Sequence, residues 1–506
     1  MADERLIADD LDCDVAIIGY GPVGATLAGL LARRGVRTTV IDREADVYPL
    51  PRAAHVDHEI LRILQELGCA DEMFAGMRPN QGMDFLTADH QVLLSMRSPG
   101  VTALGWPASV FINQPLFEAQ LRATVAGLGA VTRLGSGVAS IETVDSPERS
   151  GDHVRLTLDD GSSLTARYVV GCDGARSFTR RTLGIGSHDL EFEEPWLVVD
   201  LELTQPLASL PEFALQVCDP ARPHTLVPMP EPRFRFEFML LPGEDPVAMQ
   251  APDVVAQLTA GWLPDGAATL ERSAVYTFHG LIATHWRSGR VLLAGDAAHQ
   301  MPPFLGQGMC SGMRDAANLA WKLHAVLHGA DEALLDTYQQ EREPHVRSIV
   351  EAAVGFGRII CTLDAAMAAD RDEAMLAARI AAHGAHDTSE GAPMAALTGP
   401  LVGSGGGRPS FQPVIDGQRL DDLVGSGWAV VVRQDAGAAG AWWLQRGALV
   451  LSAEDHPQLT PLLISARAPD GTPADAVVVR PDRYVLGGAP GLEELTALVR
   501  PFFTRD

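Results

Sequence analysis

The run Gly19-Tyr20-Gly21-Pro22-Val23-Gly24 sets three glycines at the spacing Gly-x-Gly-x-x-Gly. The first glycine allows a tight turn, the second lets backbone N–H groups approach a pyrophosphate, and the third lets a helix pack closely on a strand. The helix that follows would offer free N–H groups and a positive dipole end to the phosphates. Asp42 closes the next apolar run, at about the ~20-residue offset where a carboxylate can accept both hydroxyls of a ribose. This setting predicts a bound dinucleotide, without separating NAD from FAD. Two later segments bear on that choice. Val169 to Ser177 carries Cys172-Asp173-Gly174, and Leu293 to His299 carries Gly295-Asp296, followed by Pro302-Pro303 and Gly306-Gln307-Gly308-Met309. An acid beside a glycine at a strand end suits a polyol hydroxyl such as ribityl. The next helix N-terminus suits the electron-rich edge of an isoalloxazine. Either aspartate could instead be a helix N-cap; two of them in this order favour a flavin.

These residues need elements to hold them. Residues 13–18 read as a buried strand, Ala25 to Arg34 as a helix stopped by Gly35, and Arg37 to Ile41 as a second strand. That is a parallel βαβ opening. Residues 154–159 and 164–170 read as strands around the turn Asp160-Gly161. Val198 to Leu203, Arg235 to Leu241 and Ser273 to Phe278 read as an antiparallel sheet, 290–294 as a short buried strand, and Gly312 to Leu327 as a long helix. The Gly-, Ala-, Ser- and Pro-rich stretch 386–413, with Gly403-Ser404-Gly405-Gly406-Gly407, reads as a linker. Beyond it, Trp428 to Val432, Ala448 to Leu451 and Val477 to Val479 are strand-like and Leu492 to Val499 is helix-like.

The chain has 506 residues, 46% hydrophobic and 21% charged, a globular balance with material for about three domains. Its formal charge of −26 argues against binding nucleic acid or an anionic membrane. The six cysteines (Cys13, Cys69, Cys172, Cys218, Cys310 and Cys361) include no Cys-x-x-Cys pair, so no metal site or dithiol redox site is expected. Their scatter suits a reducing compartment. Met1 to Asp12 is acidic, unlike a signal peptide, and no long apolar run occurs, so a cytoplasmic protein without a membrane span is expected.

The three nucleotide-site segments, in this order, resemble those of the class A FAD-dependent aromatic hydroxylases, the para-hydroxybenzoate hydroxylase type. The closer likeness is to 3-(3-hydroxyphenyl)propionate hydroxylases. It runs through Pro51-Arg52-Ala53, Phe111 to Pro115, Cys172 to Leu183, Trp196 to Asp200, Cys218 to Pro223, Arg235 to Glu244, Arg290 to Leu323, Leu334 to Glu343 and Val478 to Val485. The resemblance implies an α/β fold of three parts. A Rossmann-like FAD-binding domain takes 1–185 and 280–385. An antiparallel-sheet substrate domain takes 186–279, joined by part of 75–112. A thioredoxin-like C-terminal domain takes 414–506, and in such families it serves packing or oligomerisation, so a homodimer is a candidate assembly.

By the same resemblance Gly19, Gly21, Pro22, Val23 and Gly24 hold the ADP part, Asp42 its ribose, and Arg43 lies over the adenine. Arg52 is near the pyrophosphate and Gln114 near the ribityl chain, which Asp296 beside Gly295 binds. Asp173 supports both FAD and NAD(P)H use. Gly306, Gly308 and Met309 belong to the loop whose N–H groups meet the flavin C2 carbonyl, and Cys310 replaces an asparagine frequent there. Pro303 turns its carbonyl to the phenol. The activity implied is hydroxylation of a phenolic substrate with NAD(P)H and O2 through a flavin C4a-hydroperoxide. A larger polycyclic phenol, or a flavin-binding protein without turnover, is the alternative. Arg52, Pro303 and His55 are the candidate catalytic residues. His55, His58 and His299 could each polarise a phenol or be an ordinary hydrogen-bonded histidine, with His299 suited to fixing the loop after Asp296. The strand Arg233-Phe234-Arg235-Phe236-Glu237-Phe238 is a pocket wall or a half-buried sheet. Trp196 shares that ambiguity, while Trp442 and Trp443 suit packing and Asp71-Glu72 a solvated face.

Overall fold

The computed structural model describes residues 11–50, 52–98, 100–144, 152–381, 387–388 and 394–503. Most of the acidic N-terminal stretch, Pro51, residues 386 and 389–393 of the expected linker, and the last three residues lie outside these.

The apolar run Cys13–Ile18 is the centre of the first sheet. Val15 and Ile17 face one core while Ala16 and Ile18 face another, which is why the run shows no polar alternation. Ser163–Gly171 and Thr38–Asp42 flank it in parallel, and Val131–Leu134 and Val291–Leu293 extend the parallel array. Val138–Val144 and His153–Leu158 add an antiparallel flap. The helix Pro22–Arg33 crosses between the first two strands, and Gly308–Leu327 packs against it. The latter helix starts earlier than Gly312 because two glycines, Gly308 and Gly312, mask its first turn in the sequence.

The second sheet has nine strands. Its centre is Ser187–Leu203 between Arg233–Met239 and Ala268–Ala283, all antiparallel. The central strand Ser187–Leu203 and its neighbour Ala268–Ala283 run well beyond the expected segments, because acidic side chains such as Glu191, Glu193 and Glu194 on the central strand break the apolar pattern. Gly82–Leu86 and Val92–Arg97 join the far side of the sheet, from the 75–112 region. Phe234, Phe236 and Phe238 fill its core on one face.

The 25-residue helix Asp336–Ile360 has no counterpart in the sequence reading, where Pro344 and a charged first half hide it. Tyr338, Val346, Val350 and Val354 on its buried side anchor it in the main core.

The C-terminal sheet runs Leu449–Ser452, Ala429–Val432, Ala476–Val479, Val485–Ala489, parallel for the first pair and antiparallel for the rest. The last strand was not expected, because Gly487-Gly488 conceal it. The stretch expected as a free linker is, over 394–413, a packed strap. Gly403 N and Gly407 N donate to the carbonyls of Leu486 and Val485 at 2.6 and 2.8 Å, and Leu397 and Leu401 are buried. A Cβ on Gly406 would lie 2.4 Å from the Leu486 oxygen, so glycine serves close approach there rather than flexibility.

The turn between the last two strands, Arg480 to Tyr484, is buried against the flavin-fingerprint half of the chain. Arg480 Nη2 donates to Glu341 Oε2 at 2.7 Å and to Asp482 Oδ2 at 2.6 Å, and Lys322 Nζ donates to the same Glu341 oxygen at 2.8 Å. Asn318 Nδ2 bridges Glu341 and Asp482, and the Tyr484 hydroxyl donates to Glu59 Oε2 at 2.6 Å. Among the described residues no single helix is long and apolar enough to cross a membrane.

Candidate active site

One cavity of about 2220 Å3 runs between the two large sheets and reaches the C-terminal strap. It begins at the turn after Cys13–Ile18. There Gly19 adopts φ +104°, and a Cβ on it would meet the Cys172 oxygen at 2.5 Å. A Cβ on Gly24 would lie 2.0 Å from the Gly19 oxygen, so this glycine sets helix–turn contact and does not line the cavity. Gly21 differs: it has an ordinary φ of −71°, and its Cβ would meet nothing within 4 Å. The space beside it is open cavity, at the N-terminus of the Pro22–Arg33 helix. Pro22 and Val23 line it too. Asp42 accepts from Tyr20 N at 2.6 Å and Glu44 N at 2.9 Å, which ties the second strand end to the glycine turn. Arg43 is exposed beside it on the cavity rim.

Farther in, Gln114 Oε1 accepts from the backbone N–H groups of Arg52 and Ala53 at 2.9 and 2.6 Å. Gln114 thereby fixes the Arg52 segment, a role its sequence position did not disclose. The two acidic strand ends turn out unlike. Asp173 accepts from Ser177 Oγ, Thr179 N and Thr179 Oγ1 at 2.5 to 3.0 Å, so it braces the short helix Phe178–Thr182 while still lining the cavity. Asp296 has no side-chain hydrogen bond among the described residues and is exposed into the cavity, between the buried Gly295 and Ala297. Gly295 itself lies behind the wall, where a Cβ would meet Val23 Cγ2 at 2.9 Å. Its N–H donates to Asp315, whose other contacts are His299 Nε2 at 2.7 Å and Arg342 Nε at 2.9 Å. His299 therefore supports the turn and does not reach the cavity.

Pro303, Gly306, Gly308 and Met309 line the cavity together. The Pro303 carbonyl accepts from Gly306 N at 2.7 Å in a tight turn, and Gly306 takes φ +63°. His55 is packed against this loop with Nδ1 at 3.2 Å from the Gly306 oxygen. That contact requires the proton on Nδ1 and leaves Nε2 as an acceptor. Burial holds the His55 pKa below its ordinary value, so the ring is neutral near pH 7. Cys310 Sγ also turns to the Gly306 and His55 carbonyls, and burial keeps its thiol protonated. His58 lines the cavity with Nδ1 on Thr102 Oγ1.

The far wall is the second sheet, presenting Val198, Gln216, Thr225, Arg235, Glu237 and Tyr276. The strand Arg233–Met239 meets both expectations for it, with phenylalanines in the core and Arg235 and Glu237 on the cavity. Trp196 is fully buried, edge-on to Phe304 at 5.5 Å, and only Phe304 reaches the cavity. Trp443 is packing, tilted against Trp428 and edge-on to Trp442. The described residues hold no cluster suited to a metal, and all six cysteines are free.

The cavity runs from the glycine turn past Asp296 to the Pro303 loop, and its open backbone at Gly21 and exposed carboxylate at Asp296 suit a dinucleotide. Residues 12–353 match the model of the family described as the FAD binding domain. The chain belongs to this family, and it is a flavin-dependent aromatic hydroxylase. It is 40% identical over 505 residues to a probable NADH-specific resorcinol 4-hydroxylase of Rhodococcus jostii strain RHA1, covering 96% of this chain and 94% of that one. It is 34% identical over 513 residues to the 3-(3-hydroxy-phenyl)propionate/3-hydroxycinnamic acid hydroxylase of Mycolicibacterium smegmatis, covering 94% and 90%. Among solved structures, aklavinone-11 hydroxylase in its complex with FAD and aklavinone superposes with a TM-score of 0.76 at 25% identity, over 98% of this chain and 100% of that one.

Proposed function

We propose that the protein hydroxylates a small phenol of the resorcinol type, with NADH as reductant and O2 as oxygen donor. The observation that carries this reading is the continuity of one cavity from the glycine turn, past the unpartnered Asp296, to a mixed aromatic and polar sheet wall. The near end-to-end likeness to the Rhodococcus relative supports the substrate class and the nicotinamide. Bound FAD, once reduced, supplies the activation of oxygen. The chain's own residues bind, orient and exclude water. Gly19, Gly21, Pro22 and Val23 hold the ADP part, with Gly24 keeping the helix against the turn, Asp42 serves its ribose and Arg43 the adenine. Arg52 serves the pyrophosphate, Gln114 and Asp296 the ribityl chain, and the N–H groups of Gly308 and Met309 the flavin C2 carbonyl. Asp173 serves FAD and the passing nicotinamide. The remaining lone pair of the Pro303 carbonyl, or His55 Nε2 beside it, accepts the single O–H of the phenol, which raises electron density in the ring.

The chain then divides as an FAD domain (1–185 and 280–385), a substrate domain (186–279 with part of 75–112), a connecting segment 386–413 that forms a strap over 394–413, and a thioredoxin-like domain over 414–506. We place the enzyme in the cytoplasm without nucleic-acid or membrane partners, on the strength of its acidic charge and free cysteines, and keep a homodimer as the candidate assembly implied by the family resemblance. A second reading, a polycyclic phenol, is favoured by the cavity volume and the aklavinone complex. Steady-state NADH oxidation and mass spectrometry under 18O2 with resorcinol, 3-(3-hydroxyphenyl)propionate and a tricyclic phenol decide between them. The proposal expects labelled product with the monocyclic phenols, resorcinol foremost. Absence of phenol-dependent NADH oxidation would overturn it.

A further inference from the structure

The cavity face of the second sheet carries a polar row set by strand register. Gln216 pairs with Thr225, Thr225 with Glu237, and Glu237 with Val198, so all four point the same way. Two members of the row satisfy each other. Thr225 Oγ1 donates to Gln216 Oε1 at 2.7 Å, and Gln216 Nε2 donates to the His224 carbonyl at 3.1 Å. Glu237 makes no hydrogen bond among the described residues. The nearest cation, Arg235 Nη1, stands 3.7 Å from Glu237 Oε1, outside hydrogen-bond reach. Arg235 is turned to Asp200 at 2.7 Å and to the Arg52 carbonyl at 2.9 Å, and Arg272 also turns to Asp200, at 2.8 Å. The Glu237 side chain is 13% exposed, and the space it sees is the cavity it lines.

A half-desolvated carboxylate without a donor is unfavourable until one arrives. The four charges Asp200, Glu237, Arg235 and Arg272 balance with Glu237 ionised, so the site needs a neutral donor rather than another cation. Burial pushes the Glu237 carboxyl upward and Arg235 opposes it, the environment of a strong acceptor. We propose that Glu237 is a substrate-binding residue that accepts a hydrogen bond from a second hydroxyl of the aromatic ring, and so selects rings bearing two neutral O–H donors. This rests on the phenol reading, in which Pro303 or His55 receives the first hydroxyl.

The test is a cycle between enzyme and substrate. Wild type, Glu237→Gln and Glu237→Ala, each loaded with FAD, are titrated with resorcinol and with 3-methoxyphenol, following the flavin absorbance change. A hydrogen bond to a charged acceptor predicts that wild type binds resorcinol roughly tenfold more tightly than its monomethyl ether. Glu237→Ala should bring the two within about twofold, and Glu237→Gln should fall between. An unchanged ratio in Glu237→Ala, or in Glu237→Gln should the alanine variant fail to fold, overturns the inference while leaving the phenol reading intact. Wild type that responds to neither compound overturns the phenol reading itself.

Discussion

The second and third glycines of the fingerprint do different work, and substitution by alanine separates them. Gly21 has φ −71° and ψ −175°, a conformation alanine adopts freely, and its Cβ would enter open cavity with no atom within 4 Å. Gly21→Ala should therefore leave the apoprotein as stable as wild type or more so by about 0.4–1 kcal/mol, since alanine has less freedom to lose on folding. The methyl group occupies the space where a pyrophosphate would approach the helix N-terminus. Losing one charge-assisted hydrogen bond there removes about 1.5–3 kcal/mol, a roughly 10- to 100-fold weaker FAD affinity. Gly24→Ala is the contrast. Its Cβ would sit 2.0 Å from the Gly19 oxygen, so the Pro22–Arg33 helix must shift, at a cost of about 1–3 kcal/mol or more. The assay pairs urea melts of the apoproteins with FAD titrations followed by flavin fluorescence quenching. Gly21→Ala that unfolds easily, or that binds FAD as wild type does, would refute this division of roles.

Asp296→Ala should lose bound flavin on purification, read from the ratio of flavin to protein absorbance, while the apoprotein melts as before, because the Asp296 side chain has no hydrogen bond among the described residues and faces the cavity. Glu341→Gln should destabilise the protein by about 3–5 kcal/mol in a denaturant melt, since Lys322 and Arg480 would be left buried around a neutral group. Acid should weaken the fold from pH 6.5 downward. Burial and Arg342 hold His345 down to about 2, and burial and His328 hold His324 down to about 4, against an ordinary 6.5. Below 6.5 the unfolded chain binds protons that the folded chain refuses, so stability falls with pH until about 4 for His324 and further for His345. A urea midpoint that stays flat between pH 7 and pH 4.5 would contradict this.

The nucleotide turn was legible because its constraint is local: a tight turn at Gly19, an open approach at Gly21 and a close helix contact at Gly24 fall within six residues. The sheet flanking it was legible for the same reason, as short apolar runs between turns. What stayed hidden depends on distance along the chain. Arg480 meets Glu341 across 139 positions and Tyr484 meets Glu59 across 425, pairings that no window of sequence displays. Glu237 looked like half of an alternating strand until the register put it beside Thr225 and facing the cavity. The strap from 394 to 413 misled because glycine was read as freedom, whereas at Gly406 any Cβ would collide with the Leu486 carbonyl. Asp173 and Asp296 looked equivalent, and only the position of Ser177 and Thr179 around the first tells cap from open acceptor.

The turn carrying Arg480 and Asp482 closes over Lys322 and Glu341, which are wholly shielded from water. It works as a clasp: one small hairpin pins the two long helices Gly308–Leu327 and Asp336–Ile360 to each other through a shared carboxylate. Opening that clasp would hydrate the buried charges and loosen the helices behind the nucleotide cradle, so damage to the C-terminal sheet would be felt in the core far from it.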